Sequence, residues 1–250
     1  MRCAAIVVTM TLMTALAPAQ GAQLRAAYLA TNPAQAVVDP ATGELRGVAV
    51  DLARELARRQ GSELALIPAQ NPQAVIDAVE SGKVEIGFVA YNPERAGPVA
   101  FSKPYLLVNQ TFLVREDSGI TSVRDIDRAG QRIGARAGDS IALYLARTLE
   151  QAQLVTLTEA ETREAPLAVV EGKLDAFGAN RQRLTDILRG IPGLRLLPDD
   201  LYGVEQAIIV TRGNTAALAA VNQFIDDVRR SGFLEAAIQK SGVVGISAAP

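Results

Sequence analysis

The sequence predicts an α/β fold of two lobes, each a mixed, mostly parallel sheet flanked by helices, joined by a two-segment hinge. Three observations predict it. Strand and helix signals alternate through residues 24–91, the same alternation restarts at residue 131, and a last strand with two helices follows, placed to return to the first lobe.

Residues 24–30 (LRAAYLA) and 63–69 (ELALIPA) read as short buried strands, and between them residues 50–60 carry Leu52, Leu56 and neighbouring alanines at helical spacing. Residues 72–82 form a second helix ended by Gly82, because glycine takes the left-handed conformation that closes a helix. Residues 84–91 are a third strand, and the β-α-β-α-β order argues for parallel pairing with helices on both faces. Asn92-Pro93-Glu94 then reads as a helix start: an amide cap, a proline at the first helical position and an acid. Arg95 is misplaced in such a helix, since a cation in the first turn meets the positive end of the dipole.

In the second half, residues 131–138 are a strand running into a Gly138-Asp139-Ser140 helix start. A helix over 140–149, a strand over 152–158, a helix through Ala165 to Val170, a strand over 174–180 and a helix over 181–190 follow. Residues 78–92 and 168–181 echo each other as a helix end, a Gly-Lys turn and a buried strand finishing in polar residues. A common origin of the two sheets explains the echo, and so does a general preference of such turns for Gly-Lys. Residues 204–213 are a strand followed by two helices. If this tail packs on the first lobe, the chain crosses between lobes twice, at residues 106–117 and near Pro198-Asp199-Asp200. The expected lobes are then 23–108 with 205–250, and 109–204.

A hydrophobic fraction of 49% over 250 residues is enough for real cores. With 25 basic against 27 acidic groups and no long run of either sign, nucleic acid has no electrostatic support as a partner. The chain has no histidine, so the commonest general base and metal ligand are missing, together with every Ser-His-Asp or Cys-His arrangement; no metal or cofactor is expected. Met1-Arg2, the apolar run behind it and Ala17-Pro18-Ala19 read as a secretory signal over residues 1–22, cut near Ala19 or Ala22. The competing reading, a buried N-terminal strand or helix, suffers from Thr9, Thr11 and Thr14, which break amphipathic spacing. Cys3 lies inside this segment, so the mature chain relies on its core rather than on disulfides.

In order and spacing, GELRGVAVDLARELARR, AVIDAVESGKVEIGFVA, NPERAGPVAFSKPY, FLVREDSGITSVRDI, QRIGARAGDSIALYL and EGKLDAFGAN resemble the polar-amino-acid branch of bacterial periplasmic solute-binding proteins, solute-binding protein family 3. The P-E-R turn followed by F-S-x-P-Y is the most specific part. The resemblance implies the two-lobed periplasmic-binding-protein fold and a periplasmic location. It also implies a small anionic or zwitterionic solute held between the lobes and delivery to the membrane permease of an ABC transporter. A monomer is expected.

The resemblance further implies that Arg95 pairs with the ligand's carboxylate, for which a guanidinium offers a planar fork of donors that lysine lacks. A surface salt bridge to Glu94 or another acid is the local alternative. Ligands of open α/β sheets sit beyond the carboxyl ends of the strands. That places Thr31, Asn32 and Gln35 after the first strand, Asn71 after the second, and Tyr91 and Asn92 after the third. In the second lobe it places Arg136, Ser140 and Asn180 at the equivalent edge. Ser140 matches the family's small hydroxyl residue at a helix N-terminus, where backbone N–H groups favour an anion; plain capping by Asp139 or Ser140 explains the same residues.

Two departures from the family pattern bear on the solute. The stretch from Glu85 to Arg95 is two residues shorter than usual, and Asn180 stands where amino-acid binders commonly carry an aspartate for the ligand's ammonium. With Arg136 and Arg181 near that edge, the expectation is an organic acid or modified amino acid bearing at least one carboxylate. Cyclohexadienyl-dehydratase-like catalysis is the enzymatic alternative, but it needs a carboxyl group where Asn180 stands, leaving Asp139 or Glu94 as poor substitutes, so no enzyme is expected. A module that reports ligand to a membrane receptor is a third class.

Overall fold

The computed structural model describes residues 22–30, 32–39 and 41–250, apart from the side chain of Glu94; the expected signal segment up to residue 21, with Cys3, and also Thr31 lie outside the described residues. The first half contains β1 (Gln23–Leu29), a short hairpin of β2 (Val37–Val38) and β3 (Leu45–Arg46), α1 (Val48–Gln60), β4 (Glu63–Ala69), α2 (Pro72–Glu80) and β5 (Ile86–Ala90). A 17-residue strand, β6 (Val99–Arg115), leads away from it. The second half contains β7 (Arg132–Arg136), α3 (Ser140–Thr148), β8 (Gln153–Leu157), α4 (Glu159–Val170), β9 (Ala176–Asn180), α5 (Arg181–Leu188) and β10 (Leu194–Leu196). The tail is β11 (Tyr202–Thr211), α6 (Thr215–Arg230), α7 (Phe233–Ser241) and β12 (Ile246–Ala248).

Two expected elements differ. The helix anticipated at Asn92 is a single 3-10 turn, Pro93–Arg95, in which Arg95 N–H donates to Asn92 O at 3.0 Å. Gly97 and Pro98 follow at once, and one turn carries little dipole, so the objection to a cation there largely disappears. Conversely, the helix expected from Ala165 begins at Glu159. A reciprocal cap starts it: Thr158 Oγ1 accepts from Glu161 N–H at 3.3 Å, and Glu161 Oε2 accepts from Thr158 N–H at 2.7 Å. Pro166 lies inside this helix and removes one backbone donor. Burial of Thr162, Ala165 and Val169 along one face outweighs that loss.

The main sheet runs β4-β1-β5-β11-β6-β9-β7-β8. The outer triplets, β4-β1-β5 and β9-β7-β8, are parallel, whereas β11 and β6 run antiparallel to their neighbours. Apolar side chains pack separately over the two ends. Leu52, Phe88, Tyr105, Phe224 and Leu234 share one core, and Phe112, Ile133 and Ile141 share another. Strand β6 feeds both, giving Tyr105, Leu106 and Val108 to the first and Phe112 and Val114 to the second. The tail helices belong to the first core, and Lys240 of α7 donates to the buried Asp51 of α1 at 3.0 Å.

The sequence echo is a structural repeat. Arg25 N–H donates to Glu85 Oε2 at 2.7 Å, Glu85 N–H returns to Arg25 O at 3.0 Å, and the Arg25 guanidinium donates to Gly82 O at 3.2 Å. Arg132 does the same with Asp175 (2.8 and 2.9 Å) and Gly172 O (2.6 Å). Both glycines have φ near +70°, the left-handed conformation that ends α2 and α4 before the chain enters β5 and β9.

Candidate functional site

Strands β1, β4 and β5 all end at one edge of the first half, and β7, β8 and β9 at one edge of the second, because each triplet is parallel. The register shows where these edges lie. Ala90, the last residue of β5, opposes Gln206 of β11, which opposes Leu106 of β6. Asn180, the last residue of β9, opposes Gln110 of β6. Strand β5 runs parallel to β6 and β9 antiparallel to it, so the two sets of carboxyl ends approach each other along the shared strand. They stop four residues apart, at Leu106 and Gln110, which is roughly 13 Å of extended chain. Facing carboxyl ends of this kind are where open α/β sheets generally hold their ligands.

Arg95 stands half-buried just past the end of β5. Among the described residues, no hydrogen bond or ion pair engages its guanidinium. Its neighbour Tyr91 is 45% exposed, with its ring edge-on to Phe101 at 5.2 Å between centroids, and its N–H donates to Glu205 O at 2.8 Å. Asn92 accepts from Arg95 N–H and so shapes the turn.

Of the other expected residues, Asn32, Asn71, Asn180 and Gln35 have their side-chain oxygens already engaged. Asn32 Oδ1 accepts from Ala34 N–H at 3.1 Å. Asn71 caps α2 through Ala74 N–H at 2.9 Å, and Asn180 caps α5 through Arg183 N–H at 2.9 Å. Gln35 is fully buried: its Oε1 accepts from Leu29 N–H at 2.9 Å and its Nε2 donates to Gln206 Oε1 at 3.2 Å. It braces the loop behind the edge instead of facing the crevice.

Arg136 does not offer the free positive charge expected of it. Its guanidinium donates to Asp139 Oδ1 at 2.7 and 2.9 Å and to Glu159 Oε2 at 2.7 Å, and these carboxylates hold its pKa above the ordinary arginine value. Arg181 is committed as well, to Asp200 Oδ1 at 2.6 Å and to the carbonyls of Leu197 and Asp199 at 3.2 and 2.7 Å. The argument for a strongly anionic solute from these two arginines therefore fails, because both are neutralised locally.

Ser140 opens α3, as expected. Asp139 occupies the N-cap position without a side-chain capping bond, since its carboxylate turns to Arg136. Beside Ser140 lies Tyr202, which stacks on Tyr144 with centroids 4.6 Å apart; burial pushes its phenol above the usual value. Sequence reasoning missed Tyr202 and Glu205. The only signal for either was the alternation of side chains along β11, which the buried Gln206 makes readable.

Among the described residues, no group of three or more His, Cys, Asp or Glu side chains could hold a metal ion, and no helix is long and apolar enough to cross a membrane.

Comparison with known proteins agrees with this architecture. The chain is 24% identical over 201 residues to the L-cystine-binding protein TcyJ of Escherichia coli, covering 79% of this chain and 74% of that one. It is 27% identical over 178 residues to the glutamine-binding protein of Geobacillus stearothermophilus, covering 68% and 66%. Among solved structures, the amino acid ABC transporter substrate-binding protein AbpA of Streptococcus pneumoniae, bound to L-arginine, superposes with a TM-score of 0.65 at 21% identity, covering 88% of this chain and 94% of that one. Such neighbours are two-lobed, and so is this fold. The sequence profile of the bacterial extracellular solute-binding proteins, family 3, matches residues 24–242, and the chain belongs to that family.

Proposed function

We propose that this solute-binding protein is the periplasmic, monomeric and non-catalytic receptor of an ABC transporter. It captures a small carboxylate-bearing solute between its lobes and presents it to the membrane permease. The lobes are residues 23–108 with 205–250, and 109–204. The division of β6 between two cores, just before and after residue 109, supports the first boundary.

The carrying observation is the Arg95 guanidinium, half-buried at the crevice edge with no protein partner among the described residues, while Arg136 and Arg181 are both committed to carboxylates. A planar fork left without a counter-ion in a partly desolvated place favours a bidentate carboxylate. The solutes named for the relatives, cystine, glutamine and arginine, all carry one. Tyr91, Asn92 and Asn32 line the same edge, and Ser140 and Asn180 close from the other lobe by hinge motion about β6 and β11. A binding role without catalysis is supported by Asn180, an amide whose N–H protons are far too weakly acidic for general acid catalysis and whose oxygen is occupied by the α5 cap.

The test is a thermal-shift panel of amino acids and simple carboxylates on the wild type and Arg95→Ala. Loss of about 2–5 kcal/mol of binding free energy in the variant is expected. Equal stabilisation of wild type and variant by the same solute overturns the reading.

A further inference from the structure

The structure assigns to the last strand, β12, the role of a stop that sets how far the two halves close, with Gly245 and Arg181 as the positioning residues that meet there. This rests on the reading of a solute held between lobes and adds what limits their approach.

Strands β9 and β12 come from opposite halves, yet both pair antiparallel with β6. Asn180, the last residue of β9, opposes Gln110, and Ile246, the first of β12, opposes Val108. Strand β11 pairs with the same two positions through Tyr202 and Val204 and so occupies the other edge of β6. Strands β9 and β12 therefore follow one another along a single edge, with only Asn109 between their pairing positions. Strand β12 is anchored in the first half: Ile246 and Ala248 pack on its core, and Ala249 N–H donates to Tyr105 O at 3.2 Å. Asn109 N–H donates to Gly245 O at 2.8 Å, which holds the residue before β12 beside the gap.

From the other half, Arg181 opens α5 directly after β9 and packs against Gly245. A Cβ on Gly245 would stand 2.5 Å from Arg181 Cβ and 3.0 Å from its Cγ, far inside normal carbon–carbon contact. Arg181 is not free to swing aside. Its guanidinium donates to Asp200 Oδ1 at 2.6 Å and to Asp199 O at 2.7 Å, and Asp200 Oδ2 accepts from Asn109 Nδ2 at 2.8 Å. Both crossings and the last strand thus converge on one side chain.

Arg181 stands at the carboxyl edge of the second half, whereas Gly245 leads into a strand of the first. Motion that brings the two halves together presses the start of α5 on to Gly245, and packed atoms do not compress, so this contact ends the motion. The missing side chain at residue 245 sets the depth that closure reaches.

The test places spin labels at Gln73→Cys and Ala160→Cys, exposed positions early in α2 and α4, beyond the carboxyl ends of β4 and β8. The distance between them is measured in the otherwise wild-type protein, Gly245→Ala, Gly242→Ala, Arg181→Gly and the combination of Gly245→Ala with Arg181→Gly, without solute and with glutamine, arginine or cystine. Gly242 also has positive φ, 64° against 73° for Gly245, but a Cβ there meets nothing within 4 Å, so Gly242→Ala carries the backbone strain without the collision. Gly245→Ala is expected to lengthen the distance with and without solute and to weaken solute binding at least threefold. Gly242→Ala should do neither, and Gly245→Ala should add nothing in the Arg181→Gly background. A Gly245→Ala distance equal to the wild-type one, equal lengthening by Gly242→Ala, or an undiminished effect in the Arg181→Gly background overturns the stop. A wild-type distance that none of the three solutes changes removes the solute reading instead, and the solute-free comparison then decides the stop alone.

Discussion

Gln35 Nε2 donates to Gln206 Oε1 at 3.2 Å in the interior, tying the loop after β1 to strand β11. Both side chains are almost completely buried, and Gln35 Oε1 also accepts the Leu29 N–H. Gln206→Leu therefore strands a buried amide donor and should cost about 1–3 kcal/mol in denaturant unfolding. Because the two amides share one bond, Gln206→Leu combined with Gln35→Leu should cost less than the sum of the single changes. Simple additivity would show that the pair is not a unit.

Arg181 gathers the second crossing. Its guanidinium reaches Asp200, Leu197 O and Asp199 O, and Asp200 Oδ2 also accepts from Asn109 Nδ2 at 2.8 Å. Arg181→Ala should lower stability by ~2 kcal/mol, and Arg181→Lys should restore little of it, because a point-like ammonium cannot span these acceptors. Full rescue by lysine in an unfolding titration would refute the role of the fork.

Glu55 should give the protein a measurable acid limit. Hydrogen bonding from Arg58, then from Arg59, holds its carboxyl at about 2 against an ordinary value of 4.5. The folded-state pKa is depressed, so the contribution is present above the ordinary value and is lost as pH falls from there towards 2. With Arg58 well exposed, screening limits it to about 1–2 kcal/mol. Unfolding midpoints of Glu55→Gln should converge on those of the wild type as pH falls through this window; a constant gap would rule the linkage out.

Gly47 precedes α1 with φ at 141°, and a Cβ there would strike the Gln35 carbonyl oxygen. Gly43 also has positive φ, at 70°, but a Cβ there meets nothing within 4 Å. Gly43→Ala should thus cost only its conformational strain, about 1–2 kcal/mol, and Gly47→Ala clearly more. Thermal melts showing equal losses would mean that the close approach at Gly47 is relieved by backbone adjustment.

Legibility in the sequence followed the size of the local signal. Strands β1, β4 and β5 and helices α1, α2, α6 and α7 were readable because apolar spacing repeats over enough residues to rise above noise. The two-residue strands β2 and β3 and the three-residue β10 and β12 were not, since a pattern that short has no period. The cap of α4 is written in Thr158-x-x-Glu161, but the first turn behind it, Glu159-Ala160-Glu161, carries no apolar period to mark a helix.

The sequence by itself determined two sets of α/β units and the position of Arg95 after the third strand, because each depends on neighbours along the chain. Only the tertiary structure decided which charges are available. Arg136 meets Glu159 and Arg181 meets Asp200 through contacts between residues 23 and 19 positions apart, while among the described residues the Arg95 guanidinium meets no acid. Whether a charge is spent or free depends on what the fold brings within hydrogen-bonding distance, and that is set by strand register and packing rather than by residue type.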